Sequence, residues 1–333
     1  VVTVSTGELA VAGMGIVAPG LSGPEDALAP AGRAVPGWFQ ARVALPGRGY
    51  RRLPDACKYL LAASRLAVGD AGDRFAETRR HHRAAAVGIN NTGAALLEEL
   101  DRTIMREGAE EMSPSASPFI AMSSFASRLS MEHGINGFNL TVNSPVTAGL
   151  EALQIAARAV AAGRAGAVLV GAVEEELSPS QAIGAGSEAG AVVLHCEPVA
   201  EGGARYGTCS ARSAFLAPDG VASNAAAVLD RLVGGDLPDR IDAVLDGSPV
   251  GTAVARWLDR LTGECEVVGV PAPLQAGCLA PLQRVMGLFA QEHTVPTRRA
   301  VLAASAQGTV AYAELTVAPR KVIGVDGGEV AAV

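Results

Sequence analysis

The chain has 333 residues, 49% of them apolar and 18% charged, with 34 acidic and 27 basic side chains and a formal charge of −7. That much apolar material suits two domains or one large duplicated fold and excludes a disordered chain. An acidic balance without Lys/Arg blocks argues against nucleic acid as a main partner. No apolar run approaches the ~18 residues of a membrane span, so no membrane partner is expected. Residues 1–9 lack a basic stretch followed by an apolar run, so no secretory leader is expected either. The five cysteines, Cys57, Cys196, Cys209, Cys265 and Cys278, are odd in number and form no CxxC pair. That points away from a disulfide framework and a zinc site, toward a reducing cytoplasm, with no cofactor and no metal.

In chain order, residues 8–13 (ELAVAG) read as a buried strand followed by turn residues Gly15, Pro19 and Gly20. Pro54-Asp55 opens a helix to about residue 70, with Tyr59, Leu60, Ala63, Leu66 and Ala67 at helical spacing. Strands are expected at 84–89, 138–142, 167–173 and 191–194, and helices at 92–105, 119–132 and 147–163. The second half repeats the alternation. Strands fall at 208–216, 241–245, 266–270, 301–305 and 310–317, and helices at 221–233, 250–261 and 278–291. Such alternation indicates an α/β fold with mainly parallel strands covered on both faces. No linker of disordered composition divides it, so we read one compact body with halves 1–200 and 201–333.

Several motifs lead nowhere. Gly13-Met-Gly15 follows a strand, but Ala18 stands where a dinucleotide fingerprint needs its third glycine, and Pro19-Gly20 follows. There is no GxxxxGK[ST] and no GxSxG. His81-His82, inside ETRRHHRAA, reads as a solvated loop, and Glu174-Glu175-Glu176 as a solvated turn.

Two stretches are more specific. One is VGINNTGAALLEELDRTIMREGAEEMSPSASPF, continued by HGINGFNLTVNSPVTAGLEALQIAARAVAAGRAGAVLVGAVEE. The other is VAGMGIVAPG with FQARVALPGRGYRRLPDACKYLLAASRLAVGDAG. This frame covers more than half the chain. It resembles the β-ketoacyl synthases of fatty acid and polyketide assembly. The resemblance implies the thiolase fold: an α/β architecture of duplicated βαβαβ halves in a five-layered α-β-α-β-α arrangement. In that family a strand ends in a tight turn bearing a nucleophilic Cys, and the helix that follows lowers the thiol pKa.

The chemistry-bearing positions depart from the pattern. In NSPVTAG the Cys position holds Val146, preceded by Pro145. The first family His, in an HGTGT motif, falls on Ser248 of AVLDGSPVGT. The second, in a KSMTGH-like segment, falls on Cys278 of PAPLQAGCLAP, with Pro273 near the usual Lys. Valine offers neither nucleophile nor donor, and no pair of histidines remains to stabilise an enolate oxygen. The chain therefore resembles the chain length factors of type II polyketide synthases, inactive homologues paired with an active ketosynthase. That implies a heterodimer through the strand at 139–143, with Asn139, Thr141 and Asn143, and an acyl tunnel along the interface. Tunnel candidates are Asn91, Ala94, Ala95 and Glu98, together with Ala116, where a bulky gating Phe is common. Acyl carrier protein would dock mainly on the active partner. The chain is shortened after Glu176, which hints at a branch that reduces after each extension. Two alternatives stay open: a thiolase-fold acyltransferase using Ser144, Ser248 or Cys278, and a homodimeric scaffold for carrier protein.

Overall fold

The computed structural model describes residues 7–114, 117–177, 188–200, 204–219, 221–272 and 277–319. The first half runs β1 (Leu9–Val17), α1 (Ala41–Ala44), α2 (Asp55–Asp70), α3 (Arg74–Glu77), β2 (Arg83–Ile89), α4 (Ala94–Glu107), α5 (Ser123–His133), β3 (Asn139–Asn143), α6 (Ala148–Ala161), β4 (Ala167–Glu174) and β5 (Gly190–Pro198). The second runs β6 (Gly207–Phe215), α7 (Val221–Val233), β7 (Arg240–Leu245), α8 (Pro249–Asp259), β8 (Glu266–Pro271), α9 (Leu279–Ala290), β9 (Thr297–Ala304) and β10 (Thr309–Val317).

The strands form one hydrogen-bonded series, β3-β2-β4-β5-β1-β6-β10-β9-β7-β8. Its two halves have one order, 3-2-4-5-1, repeated five strands later as 8-7-9-10-6. The duplication is thus written in the topology. The halves join where β1 meets β6 antiparallel, Leu9 opposite Cys209 and Val11 opposite Gly207.

Between the halves lie α6 and α9, which touch each other and strands of both. Their apolar faces share one core with β1, β4, β5, β9 and β10. On the outside, α2 and α5 cover the first half-sheet, and α7 and α8 the second, each closing a further core. The result is five layers, α-β-α-β-α. A strand with helices on both faces has no wet side, so β4 (AVLVGAVE) is buried along its whole length rather than alternating.

Pairing differs from the expectation of mainly parallel strands. β2 runs parallel to β3 and β4, and β7 to β8 and β9. The five other pairings are antiparallel. In the second half β10 follows β9 after the four residues 305–308, too few for the crossover that a parallel neighbour needs. Gly15 is also not a turn residue. It lies within β1, where a Cβ would meet the Ala63 carbonyl oxygen at 2.1 Å, so the glycine lets α2 lie against the strand. Gly13 does the same at Ala67. The Gly-Met-Gly run is strand–helix packing, not a phosphate loop.

Candidate functional site

The turn between β3 and α6 carries Val146, at φ +61°. Among the described residues it is the one non-glycine with positive φ. Left-handed backbone costs an L-residue about 1–2 kcal/mol, and a β-branched side chain is especially unsuited to it. The Thr147 N–H closes onto the Pro145 carbonyl at 2.6 Å. The valine side chain is 1% exposed and belongs to the central core. Neighbouring backbone enforces the bend. At Gly88 of β2, a Cβ would lie 2.5 Å from the Ala148 carbonyl carbon and 2.6 Å from Gly149 N. The first turn of α6 therefore sits directly on β2, and the chain has no room to enter it by a gentler path.

Ser248 and Cys278, where the sequence resemblance leads one to expect the family histidines, also stand at helix starts. Ser248 is the N-cap of α8: its hydroxyl accepts the Gly251 N–H at 3.0 Å and donates to Asp246 Oδ1. With Pro249 at the first helical position this is a standard helix entry, and the buried hydroxyl is committed to it. Cys278 precedes α9, fully buried, and its carbonyl lies 3.1 Å from where a Cβ on Gly149 would stand. Burial, reinforced by Glu174 beside it, pushes its thiol well above the ordinary range. A thiol so placed is inert. Ser144, in the β3–α6 turn, is half-buried. Pro273 lies outside the described residues.

Histidines are no help to this site. His133 bonds Ser64 at 2.8 Å, His195 sits beside Glu197 and Phe75, and His81 and His82 stack in the turn before β2. His293 follows α9.

The Glu174–Glu176 run is not simply a solvated turn. Glu174 is fully buried at the end of β4. It accepts the Asn91 N–H at 3.0 Å and the Cys278 N–H at 2.8 Å, linking the approach to α4 with the start of α9. Burial pushes its carboxyl up to about 7. Glu175 accepts the Gly93 N–H at 2.9 Å. Only Glu176 is exposed, as expected of the run. No reading of three consecutive glutamates foretells this, because the N–H donors come from segments about 80 and 100 residues away.

Among the described residues β3 is an end of the sheet, with one edge unpaired. Asn139 and Asn143 are exposed and Thr141 half-buried. Large apolar side chains stay uncovered on β3 and on α5 packed beside it, Leu140 40% and Met131 64%, as do Ile120 48% in the turn before α5 and Met105 84% on α4. Along α4, Asn91, Ala94 and Glu98 are half-buried, whereas Ala95 is exposed and lines a cavity against α2. Ala116 lies outside the described residues. Among those described, no group of three or more His, Cys, Asp or Glu could hold a metal ion, and no helix is long and apolar enough to cross a membrane.

The model of the β-ketoacyl synthase N-terminal domain matches residues 42–213, just over half of the chain. The chain belongs to the β-ketoacyl synthase family. Curated relatives include 3-oxoacyl-[acyl-carrier-protein] synthase 2 of Vibrio cholerae serotype O1 and of Vibrio harveyi, each 27% identical over 148 residues. Those matches take in 44% of this chain and only 36% of each relative. Among solved structures, the ishigamide ketosynthase/chain length factor superposes with a TM-score of 0.72 at 18% identity, covering 94% of this chain and all of that one. A type II polyketide synthase ketosynthase, in complex with its acyl-carrier protein and bound to a hexaketide, gives 0.71 at 15% identity, covering 93% and 99%. At such identities the likeness establishes the thiolase-type fold of ketosynthases. In this ketosynthase-family chain the turn before α6 has a left-handed backbone and a buried valine at its tip.

Proposed function

We propose that the chain is a non-catalytic chain length factor, which pairs with an active ketosynthase and walls part of the acyl-chain tunnel at their interface. The observation carrying this reading is Val146, a buried hydrocarbon in the turn to which the sequence resemblance assigns the family's nucleophile. It can neither attack a thioester nor donate to one. Ser248 and Cys278, the stand-ins for the family histidines, are a helix cap and a buried thiol, which speaks against a cryptic acyltransferase. The unpaired β3 edge with its apolar flank supplies a surface whose burial needs a partner. The likeness to a ketosynthase/chain length factor and to a carrier-bound ketosynthase fits that partner and that process.

Within this reading, Asn139, Thr141 and Asn143 lie at the shared interface, and Asn91, Ala94, Ala95, Glu98 and Ala116 border the tunnel. Chain growth stops when the next unit would overpack the remaining volume. The short connection between β4 and β5 is the ground for placing the chain with synthases that reduce after each extension. A fully unreduced polyketone from the reconstituted system overturns that placing alone. The main test is co-expression with a ketosynthase from the same source, followed by light scattering. A one-to-one heterodimer is expected. A stable homodimer that ignores the ketosynthase, or covalent labelling of this chain by an acyl-thioester analogue, overturns the proposal.

A further inference from the structure

A cavity of about 400 Å³ opens between residues 34–41, the start of α2 and the start of α4. One wall is aromatic. The Trp38 and Tyr59 ring centroids are 4.9 Å apart, and Phe39 meets Tyr59 edge-on at 4.9 Å and 88°. Tyr59 is 7% exposed, which fixes that wall in the packed core of the first half. The lining also includes Asp55, Glu175 and Glu176. All three carboxylates are close enough to the Tyr59 phenol to push its pKa up, after burial itself. Their neutralisation is incomplete. Lys58 pairs with Asp55 at 2.7 Å, the Gly93 N–H reaches Glu175, and among the described residues no cation pairs with Glu176. Three carboxylates against one ammonium leave the cavity with a net negative charge.

The faces of Trp, Tyr and Phe attract cations through the ring quadrupole, most strongly where water is displaced. Carboxylates in the same lining add a Coulomb term, and a cavity of this size takes a ligand larger than a bare ion. We propose that this cavity is a binding site for an organic cation, an alkylammonium or guanidinium group, held by the aromatic wall of Trp38 and Tyr59 together with Glu175 and Glu176. Residues of the degenerate turn, Val146, Ser248 and Cys278, are not among its lining. The cation has two possible sources, a free small amine or an Arg or Lys side chain of a partner subunit that closes over α4.

Calorimetric titration with phenyltrimethylammonium and with agmatine, against the neutral counterparts tert-butylbenzene and 4-hydroxybutylurea at matched ionic strength, tests this on the full chain. Saturable binding of either cation without binding of its neutral counterpart is expected. Trp38→Leu should weaken it about 5- to 30-fold, and Glu176→Gln, at an exposed position that leaves the fold intact, about 3- to 10-fold. Repeating the titration on the one-to-one complex separates the sources: retained binding means a free amine, and binding lost only in the complex means a partner side chain. No binding by the free chain, or binding untouched by both substitutions in protein with unchanged circular dichroism, overturns the proposal. The free-chain arm does not depend on the heterodimer, so failure of one reading is distinguishable from failure of the other.

Discussion

Leu140→Glu puts the β3 edge to a quantitative test. In the isolated chain Leu140 leaves 40% of its surface uncovered. That is on the order of 70 Å² of hydrocarbon, and covering it in a complex is worth about 2 kcal/mol. A carboxylate in its place loses that term and adds the cost of burying a charge that the apolar flank does not pair, at least ~2 kcal/mol. Together the two amount to about 4 kcal/mol, or roughly a thousandfold in the dissociation constant of the heterodimer. The assay is sedimentation velocity on a dilution series of the co-purified complex. Val295→Glu is the control, since Val295 is 63% exposed between α9 and β9, far along the chain from the β3 edge. The control should assemble normally. A Leu140→Glu complex as tight as the unmodified one, with its circular dichroism unchanged, refutes the placing of the interface on β3.

Other expectations bear on the site and the core. Val146→Cys restores a thiol without any histidine to serve it, so incubation with malonyl thioester should leave no acyl adduct in the intact mass and release no carbon dioxide above background. Ala94→Phe should shorten the product of the reconstituted complex, and unchanged length in an intact complex removes Ala94 from the tunnel. Arg284→Met strips fully buried Asp242 of contacts at 2.7 and 2.8 Å, leaving Arg240 at 2.6 Å as its remaining ion-pair partner. Urea denaturation should register a loss of about 3–5 kcal/mol, and a loss below ~1 kcal/mol would show that Arg240 suffices. Glu174, raised to about 7 by burial, contributes stability that is full below its unfolded value of 4.5 and lost as pH rises through 7. His195, lowered to about 4 by burial, has the opposite sense, with its contribution already in place above 6.5. Between pH 6.5 and 8 the unfolding free energy should therefore fall, with Glu188, raised to about 8 by burial and by Glu174 beside it, adding to the fall, and Glu174→Gln should make it shallower. Equal slopes in the two proteins would refute the assignment.

Much of the architecture is legible in the sequence, because helix starts and buried strands write themselves locally. Pro54-Asp55 marks the start of α2, and the apolar run of β4 announces a strand buried on both faces. The Ser248-Pro249 pair could have been read as a helix cap from local chemistry alone, Ser at N-cap and Pro at the first turn. Antiparallel pairing of β5 and β10 was not legible, since strand direction depends on connections whose composition says nothing of it. Nor was the burial of Glu174, whose partners at Asn91 and Cys278 meet it only in the folded chain. The bend at Val146 runs against local preference altogether: valine disfavours it, and it follows from Gly88 and the seating of α6 on β2.

The two ends of the strand series are built differently, and this sets a limit on growth. β3 is short and flanked by hydrocarbon, whereas β8 opens on exposed Glu266 and closes on exposed Pro271, whose ring nitrogen has no hydrogen to lend. Once β3 has found a companion strand, the end of the described series that remains is β8, whose closing proline has no N–H to offer a further strand. Its assembly then terminates instead of lengthening into a fibre.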